Sequence, residues 1–421
     1  MNPSSTAGSS AAFALPGLPI DRESAEGWSL WRRSRHDFQP APSIGFADYQ
    51  SMNPRDRMLH DLHRAATHAN LALQETPMSA AVSRLMRSRI QSNALKHKPT
   101  TRAGLMITGG GYQGKTETVC ETAAAFEDFW LDLHQHANPT AAPGTRDFHI
   151  PVAYVQTPVT ATPKSVCEAI LTFFGARFHR ATLPQLIRAV RTSLHGHGTK
   201  VLLLDDITRL KMHREADQDV LDLLRSLMSM NVTLVLVGVG IRQSGLLRDG
   251  HIDPRTGQWS FRPLRTAKSF NDEAATQTER RFDLIDLSPF RYDTPADVSA
   301  WTGHLVGLEQ QLRLFRAQPG MLAQGAMPEY LFQRTNGIVG LLERLIEDAC
   351  TEAIDTGTER LTLELLETID VTLGDTAARD PSAGEIPDVR QPTRKSAKPA
   401  KRGRSRNTVF DDKGSPAACE G

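Results

Sequence analysis

Gly109-Gly110-Gly111-Tyr112-Gln113-Gly114-Lys115-Thr116 satisfies the pattern G-x-x-x-x-G-K-[ST] and follows the apolar run Leu105-Met106-Ile107. A strand that runs into such a loop, with a helix opening at Lys115, predicts a phosphate-binding turn. Glycines let the backbone wrap closely enough for successive N–H groups to point inward, and the positive end of the helix faces the same anion. Lys115 adds a point charge for the β- and γ-phosphates. Thr116 offers a hard hydroxyl oxygen to Mg2+, an ion that keeps several waters and takes few protein ligands.

Further along, Lys200-Val201-Leu202-Leu203-Leu204-Asp205-Asp206 is a continuous apolar run that ends in two carboxylates. This is the pattern of a strand buried on both faces of a parallel sheet. The spacing from the loop leaves room for a βαβα passage. Asp205 is then placed to reach the Mg2+ shell, and Asp206 to orient or deprotonate an attacking water. Together the two stretches predict binding of a nucleoside triphosphate, ATP, and its hydrolysis.

The chain has 421 residues with 39% apolar content, enough for two to three domains and a substantial core. The formal net charge of +1 gives no overall bias toward nucleic acid, so any such bias must be local. Cys120, Cys167, Cys350 and Cys419 are far apart and show no C-x-x-C spacing, which points to neither a disulfide framework nor a zinc site. No apolar run approaches the ~20 residues of a membrane span. The reading is a cytosolic protein with no membrane partner.

Residues 1–45 are rich in Ser, Ala, Gly and Pro, with a Trp28/Trp31/Arg32/Arg33/Arg35 cluster, and read as a disordered arm. A helical segment over 46–98 follows, with Val82, Leu85, Met86 and Ile90 on one face of its second helix. The nucleotide-binding core spans 99–290. After the loop a helix runs to about His136, and Ile150–Gln156 reads as a strand. Helices follow from Pro163 and Pro184. Past the Asp205 strand comes a helix bearing Leu224, Leu227 and Met228, then the apolar strand Thr233–Val237 ending at Gly238. Residues 247–277 are polar and read as a long loop or hairpin. Arg280-Arg281-Phe282-Asp283-Leu284-Ile285-Asp286-Leu287 alternates apolar and polar, as an edge strand does. Strands alternating with helices predict a parallel sheet with helices on both faces, an α/β P-loop NTPase fold. A helical lid over 291–375 and a basic disordered tail over 376–421 complete the chain. Between Glu168 and Asp205 there is no carboxylate, while Arg177, Arg180, Arg188 and Arg191 occur there. That insert presents a positive face suited to DNA phosphates, unless acids from elsewhere in the fold pair with it.

Both phosphate motifs, Arg280-Arg281-Phe282 before the last strand, and Gly337-Ile338-Val339-Gly340 leading to Arg344 in the lid resemble the AAA+ ATPases. More narrowly, the chain is similar to the TniB/TnsC/MuB group of transposition regulators over roughly residues 50–370. That resemblance implies a homo-oligomeric ATPase that assembles on double-stranded DNA without sequence specificity when ATP is bound and recruits a DDE-type transposase. It implies that Gly109 to Thr116 hold ATP and Mg2+, with Asp205 as the acidic ligand. Arg281 becomes the arginine supplied to a neighbouring subunit, with Arg280 as the alternative, and Arg344 a lid sensor. An arginine delivered across an interface meets charge on the transferred phosphoryl only in the assembled state. A surface pair of Arg281 with Asp283 or Asp286 is the competing reading. Two departures stand out. The family's acidic pair is Asp-Glu where this chain has Asp205-Asp206, one methylene shorter, and Val239 occupies the place of a polar sensor, leaving Gln243 or Ser244 as substitutes. The alternative function is an NTPase switch acting on protein partners without DNA contact.

Overall fold

Five strands, β1 (Gly104–Thr108), β2 (Val152–Gln156), β3 (Val201–Asp205), β4 (Thr233–Gly238) and β7 (Phe282–Asp286), form one sheet in the order β2-β3-β4-β1-β7. Every pairing in it is parallel. The computed structural model describes residues 17–140, 149–159, 161–209, 218–241, 250–252, 259–261 and 281–370. The strand lying between β1 and β3 is thus β4, while β2 sits at one edge and β7 at the other. Strands β1, β3 and β4 are buried along their whole length, as their uninterrupted apolar sequences require. The register aligns Thr108 with Gly238 and Gln156 with Asp205, so the phosphate loop, the two carboxylates and the end of β4 converge at the carboxyl ends of the strands. In parallel sheets, ligands bind at the carboxyl ends of the strands. Within the segment expected to be a loop or hairpin, β5 (Gly250–Ile252) and β6 (Trp259–Phe261) pair antiparallel.

Helices α4 (Pro77–Ala94), α5 (Lys115–Ala137), α6 (Pro163–Phe173), α7 (Leu183–Gly196) and α8 (Gln218–Met228) belong to the core. Several start at a repeated local signal, a threonine cap followed by proline in the first turn. Thr76 and Ser79, and likewise Thr162 and Ser165, cap each other reciprocally, satisfying N–H groups that the helix start leaves open. The same device, with Thr294 and Asp297, opens the lid helix α9 (Pro295–Glu309). The lid continues through α10 (Met327–Thr335), α11 (Val339–Asp355) and α12 (Leu363–Thr368). It has its own core around Trp301, Leu305, Phe332, Leu345 and Ile346. No described helix is long and apolar enough to cross a membrane.

The N-terminal region departs from the expectation of a disordered arm. Residues 25–34 form helix α1 (Ala25–Ser34), and Trp28 is fully buried. Its indole N–H donates to Glu127 at 2.8 Å, Arg32 pairs with Glu127 and Asp128, and Arg35 pairs with Glu121 at 3.2 Å and Asp128 at 2.7 Å. These acids all lie on α5. Composition alone reads the Trp/Arg cluster as solvated because its acidic partners are remote in sequence. Helices α2 (Phe46–Ser51) and α3 (Pro54–Ala69) follow, and α3 packs against lid helix α11. There the buried Arg64 makes two hydrogen bonds to Glu359, at 2.8 and 3.1 Å, and its guanidinium lies 4.3 Å from the Phe315 ring. The two opposite charges offset each other's burial, and removing either partner would leave the other exposed to the full cost of burial.

Candidate nucleotide site

The loop from Gly109 to Thr116 leaves β1 and enters α5 through Gly114, whose φ of +70° is left-handed and suited to glycine. Tyr112 also has a positive φ, +57°, and its carbonyl accepts a hydrogen bond from Gly340 in the lid at 2.9 Å. The loop is therefore held from both the sheet and the lid. Lys115 is buried, and its ammonium donates to the carbonyl of Gly110 in its own loop. Burial lowers the Lys115 pKa, while Asp205, Asp206 and Asp286 act in the opposite direction.

Asp205, at the end of β3, is buried and accepts three hydrogen bonds. Thr116 Oγ1 donates to Oδ2 at 2.8 Å, the Tyr154 hydroxyl donates to the same oxygen at 3.1 Å, and the Asp206 N–H donates to Oδ1 at 2.8 Å. A hydroxyl and a carboxylate in contact at the mouth of the loop form a hard-oxygen donor set, which fits Mg2+ and would anchor it with water and phosphate oxygens completing the shell. Asp206 has a φ of +52°, a conformation aspartate tolerates. Its carboxylate accepts from Gln156 at 3.3 Å and pairs with Arg209 at 2.8 Å. Arg209 in turn donates to the carbonyl of Thr157 at 2.8 Å.

A cleft of about 650 Å3 opens beside Glu117 and Thr118, the two residues after Thr116. Its other wall comes from Trp31 and Arg35 of the N-terminal region and from the 70–75 segment that precedes α4.

The remaining candidates are dispersed. Arg281 stands just before β7, and its carbonyl accepts from Gly104 N at 2.9 Å, at the sheet end opposite the loop. Its competing partner Asp283 is paired with Arg89. Arg344 is exposed, one turn beyond Gly340 on α11, with its Nε 3.8 Å from Asp348. Val239 is half exposed at the end of β4, while Ile241 N–H donates to Thr108 Oγ1 at 3.2 Å. Arg177, Arg180, Arg188 and Arg191 are exposed on and before α7 and form no ion pair among the described residues. Arg280, Gln243, Ser244 and the basic tail lie outside the described residues. Sequence reading did not find Asp286, Arg209 or Tyr154 as members of the site. Asp286 and Tyr154 carry no motif and enter through strand register alone.

A parallel sheet in this order, with a phosphate loop after β1, a buried aspartate ending β3 and a helical lid, is the P-loop NTPase fold of the AAA+ type. Residues 79–257 match the family model described as bacterial TniB protein, and the chain resembles that family within the AAA+ class. The match spans the loop, both carboxylates and the arginine-bearing insert, and stops before Arg281 and the lid. No curated protein matches the chain. Among solved structures it is similar to the Aeropyrum pernix Orc1 protein in complex with DNA, at 14% identity and a TM-score of 0.48, covering 72% of this chain and 68% of that one. It is also similar to Cdc6p from Pyrobaculum aerophilum, at 12% identity and a TM-score of 0.44, covering 70% and 67%. Domain III of the Thermotoga maritima replication initiation protein DnaA is similar at 11% identity and a TM-score of 0.37, covering 72% and 93%.

Proposed function

We propose that the chain is an ATP-dependent DNA-binding regulator of transposition. In this reading it binds ATP and Mg2+, assembles as a homo-oligomer on double-stranded DNA and recruits a DDE-type transposase. The observation that carries it is the 2.8 Å contact between Thr116 and Asp205 beneath the loop, in a segment that matches the TniB model. Lys115 is buried at the mouth of the loop, so a bound phosphate would draw its ammonium away from the Gly110 carbonyl and supply a stronger counter-charge. The ion would polarise the transferred phosphoryl and neutralise developing charge. Asp206 would hold and deprotonate the attacking water, and its pairing with Arg209 would have to yield for that role. Arg281, remote from its own loop, would serve a neighbour's. Four exposed arginines on a stretch without a carboxylate would give each subunit a weak, sequence-tolerant contact to phosphates, and assembly would sum them.

The test is fluorescence anisotropy with a labelled duplex of arbitrary sequence at low salt, with and without a non-hydrolysable ATP analogue. Duplex binding that requires the analogue supports the reading. Analogue binding with no duplex affinity moves the function to the protein-switch alternative. Pull-down of a purified DDE-type transposase, dependent on ATP and duplex, tests the recruitment step.

A further inference from the structure

Asp205 receives donors from three places, and they are not equivalent. Thr116 is itself placed to ligate the ion, and the Asp206 N–H belongs to the same strand end. Tyr154 brings its hydroxyl from the neighbouring strand β2 and depends on neither nucleotide nor ion. The register pairs Gln156 with Asp205 and Tyr154 with Leu203, so the alternation of a strand puts the tyrosine and the aspartate on one face.

The far side of that ring is held by the N-terminal region. Trp28 stacks on Tyr154 with ring centroids 6.1 Å apart and planes 12° from parallel. The Arg22 guanidinium lies 5.5 Å from the same ring and pairs with Glu117, the residue after Thr116, at 2.9 Å. Trp28 is tied in turn to Glu127 on α5, the helix that begins with Lys115. One segment, residues 22–35, thus grips both the helix that carries Thr116 and the tyrosine that steadies Asp205.

We propose that Tyr154 is a positioning residue for Asp205, held in place by α1 through Trp28, so that the N-terminal helix sets how firmly the divalent cation is bound. The proposal rests on the reading of this site as one for nucleotide and Mg2+, and it goes further in naming what tunes it. A donor that orients a metal-ligating carboxylate typically changes metal affinity by 10–100-fold when removed. Tyr154→Phe deletes only the hydroxyl and keeps volume and stacking, so it leaves the core packed.

The experiment titrates Mg2+ into a fluorescent non-hydrolysable ATP analogue bound to the full chain, and repeats the binding in EDTA. Tyr154→Phe is expected to raise the Mg2+ concentration at half-saturation about tenfold, with binding in EDTA unchanged. Trp28→Ala is expected to move it in the same direction by less. A Tyr154→Phe midpoint equal to wild type overturns the proposal, and so does an equal loss in EDTA, which would make the tyrosine a general packing residue. A Trp28→Ala midpoint equal to wild type overturns the link to α1. If the wild-type chain binds no analogue at any Mg2+ concentration, the nucleotide reading itself fails, an outcome distinct from all the others.

Discussion

The backbone N–H of Gly340, in the first turn of α11, donates to the carbonyl of Tyr112 in the phosphate loop at 2.9 Å. A Cβ built on Gly340 would lie 2.8 Å from that same carbonyl oxygen, closer than side-chain carbons approach backbone. The lid therefore touches the loop directly, and glycine is what permits the approach. Gly340→Ala should force the lid off the loop at a cost of about 1–3 kcal/mol, typical of overpacking. Nucleotide affinity should fall with it, and the melting temperature should drop. A variant with wild-type affinity would show that the lid contact is dispensable for binding.

Lys115 and Asp206 should separate binding from turnover. Lys115→Ala removes the buried charge facing the phosphates and should abolish ATP binding in a filter or anisotropy assay. Asp206→Asn keeps the shape and should bind ATP while losing roughly a hundredfold or more in hydrolysis, as expected when the group acting on water is removed. Wild-type turnover by Asp206→Asn would assign the water to another residue.

Stability should fall in mild acid through His304. This side chain is buried against Phe290 and Trp301, and neither ring nitrogen finds a partner among the described residues. Burial pushes its pKa down to about 4 from the usual 6.5. The unfolded chain takes up the proton near pH 6.5 and the folded chain only near 4, so this contribution is present above 6.5 and is lost as pH falls toward 4. The loss is at most about 3 kcal/mol. His304→Phe should flatten the fall in melting temperature between pH 6.5 and 4.5. Parallel curves for variant and wild type would rule His304 out as a source.

Much of this architecture is legible in the chain itself. Strands β1, β3 and β4 are buried on both faces, so their sequences are unbroken apolar runs, and the threonine-proline starts at Pro77, Pro163 and Pro295 mark helices by a local cap. Local signals of this kind need no knowledge of partners. Trp28 and Tyr154 are opaque for the converse reason. Trp28 is separated by 99 residues from Glu127, and Tyr154 by 51 from Asp205. Asp286 likewise reaches the site only because β7 pairs in register with β1, setting it beside Thr108. Interactions set by tertiary packing leave no periodicity to read.

Arg281 should act only between subunits. The β1–β7 register sets Phe282 beside Gly104 and Asp286 beside Thr108, so Arg281 is a full strand away from the loop that follows Thr108, roughly 15 Å at 3.3 Å per residue. It cannot serve its own nucleotide at that distance. Mixing Arg281→Ala with Lys115→Ala subunits should restore part of the hydrolysis that each lacks alone, because an intact pocket can then face an intact arginine. Mixtures that co-assemble without recovery would move the role to Arg280 or remove it.

The basic insert should contribute to DNA binding in proportion to the phosphates it meets. Arg188 and Arg191 lie three residues apart on α7, hence on one face, exposed and without an ion pair among the described residues. Replacing both with alanine should change folding stability by no more than about 0.5 kcal/mol, as for other surface sites. The same change should weaken binding to unrelated duplexes alike, because phosphate contacts carry no sequence information. Every phosphate that is no longer neutralised should lower the slope of log K against log salt by about one, so the double variant should flatten it by up to about two. The ATP requirement should persist, since it arises from assembly and not from these side chains. An unchanged salt slope in the double variant, with affinity intact, would place the DNA-binding surface elsewhere on the chain.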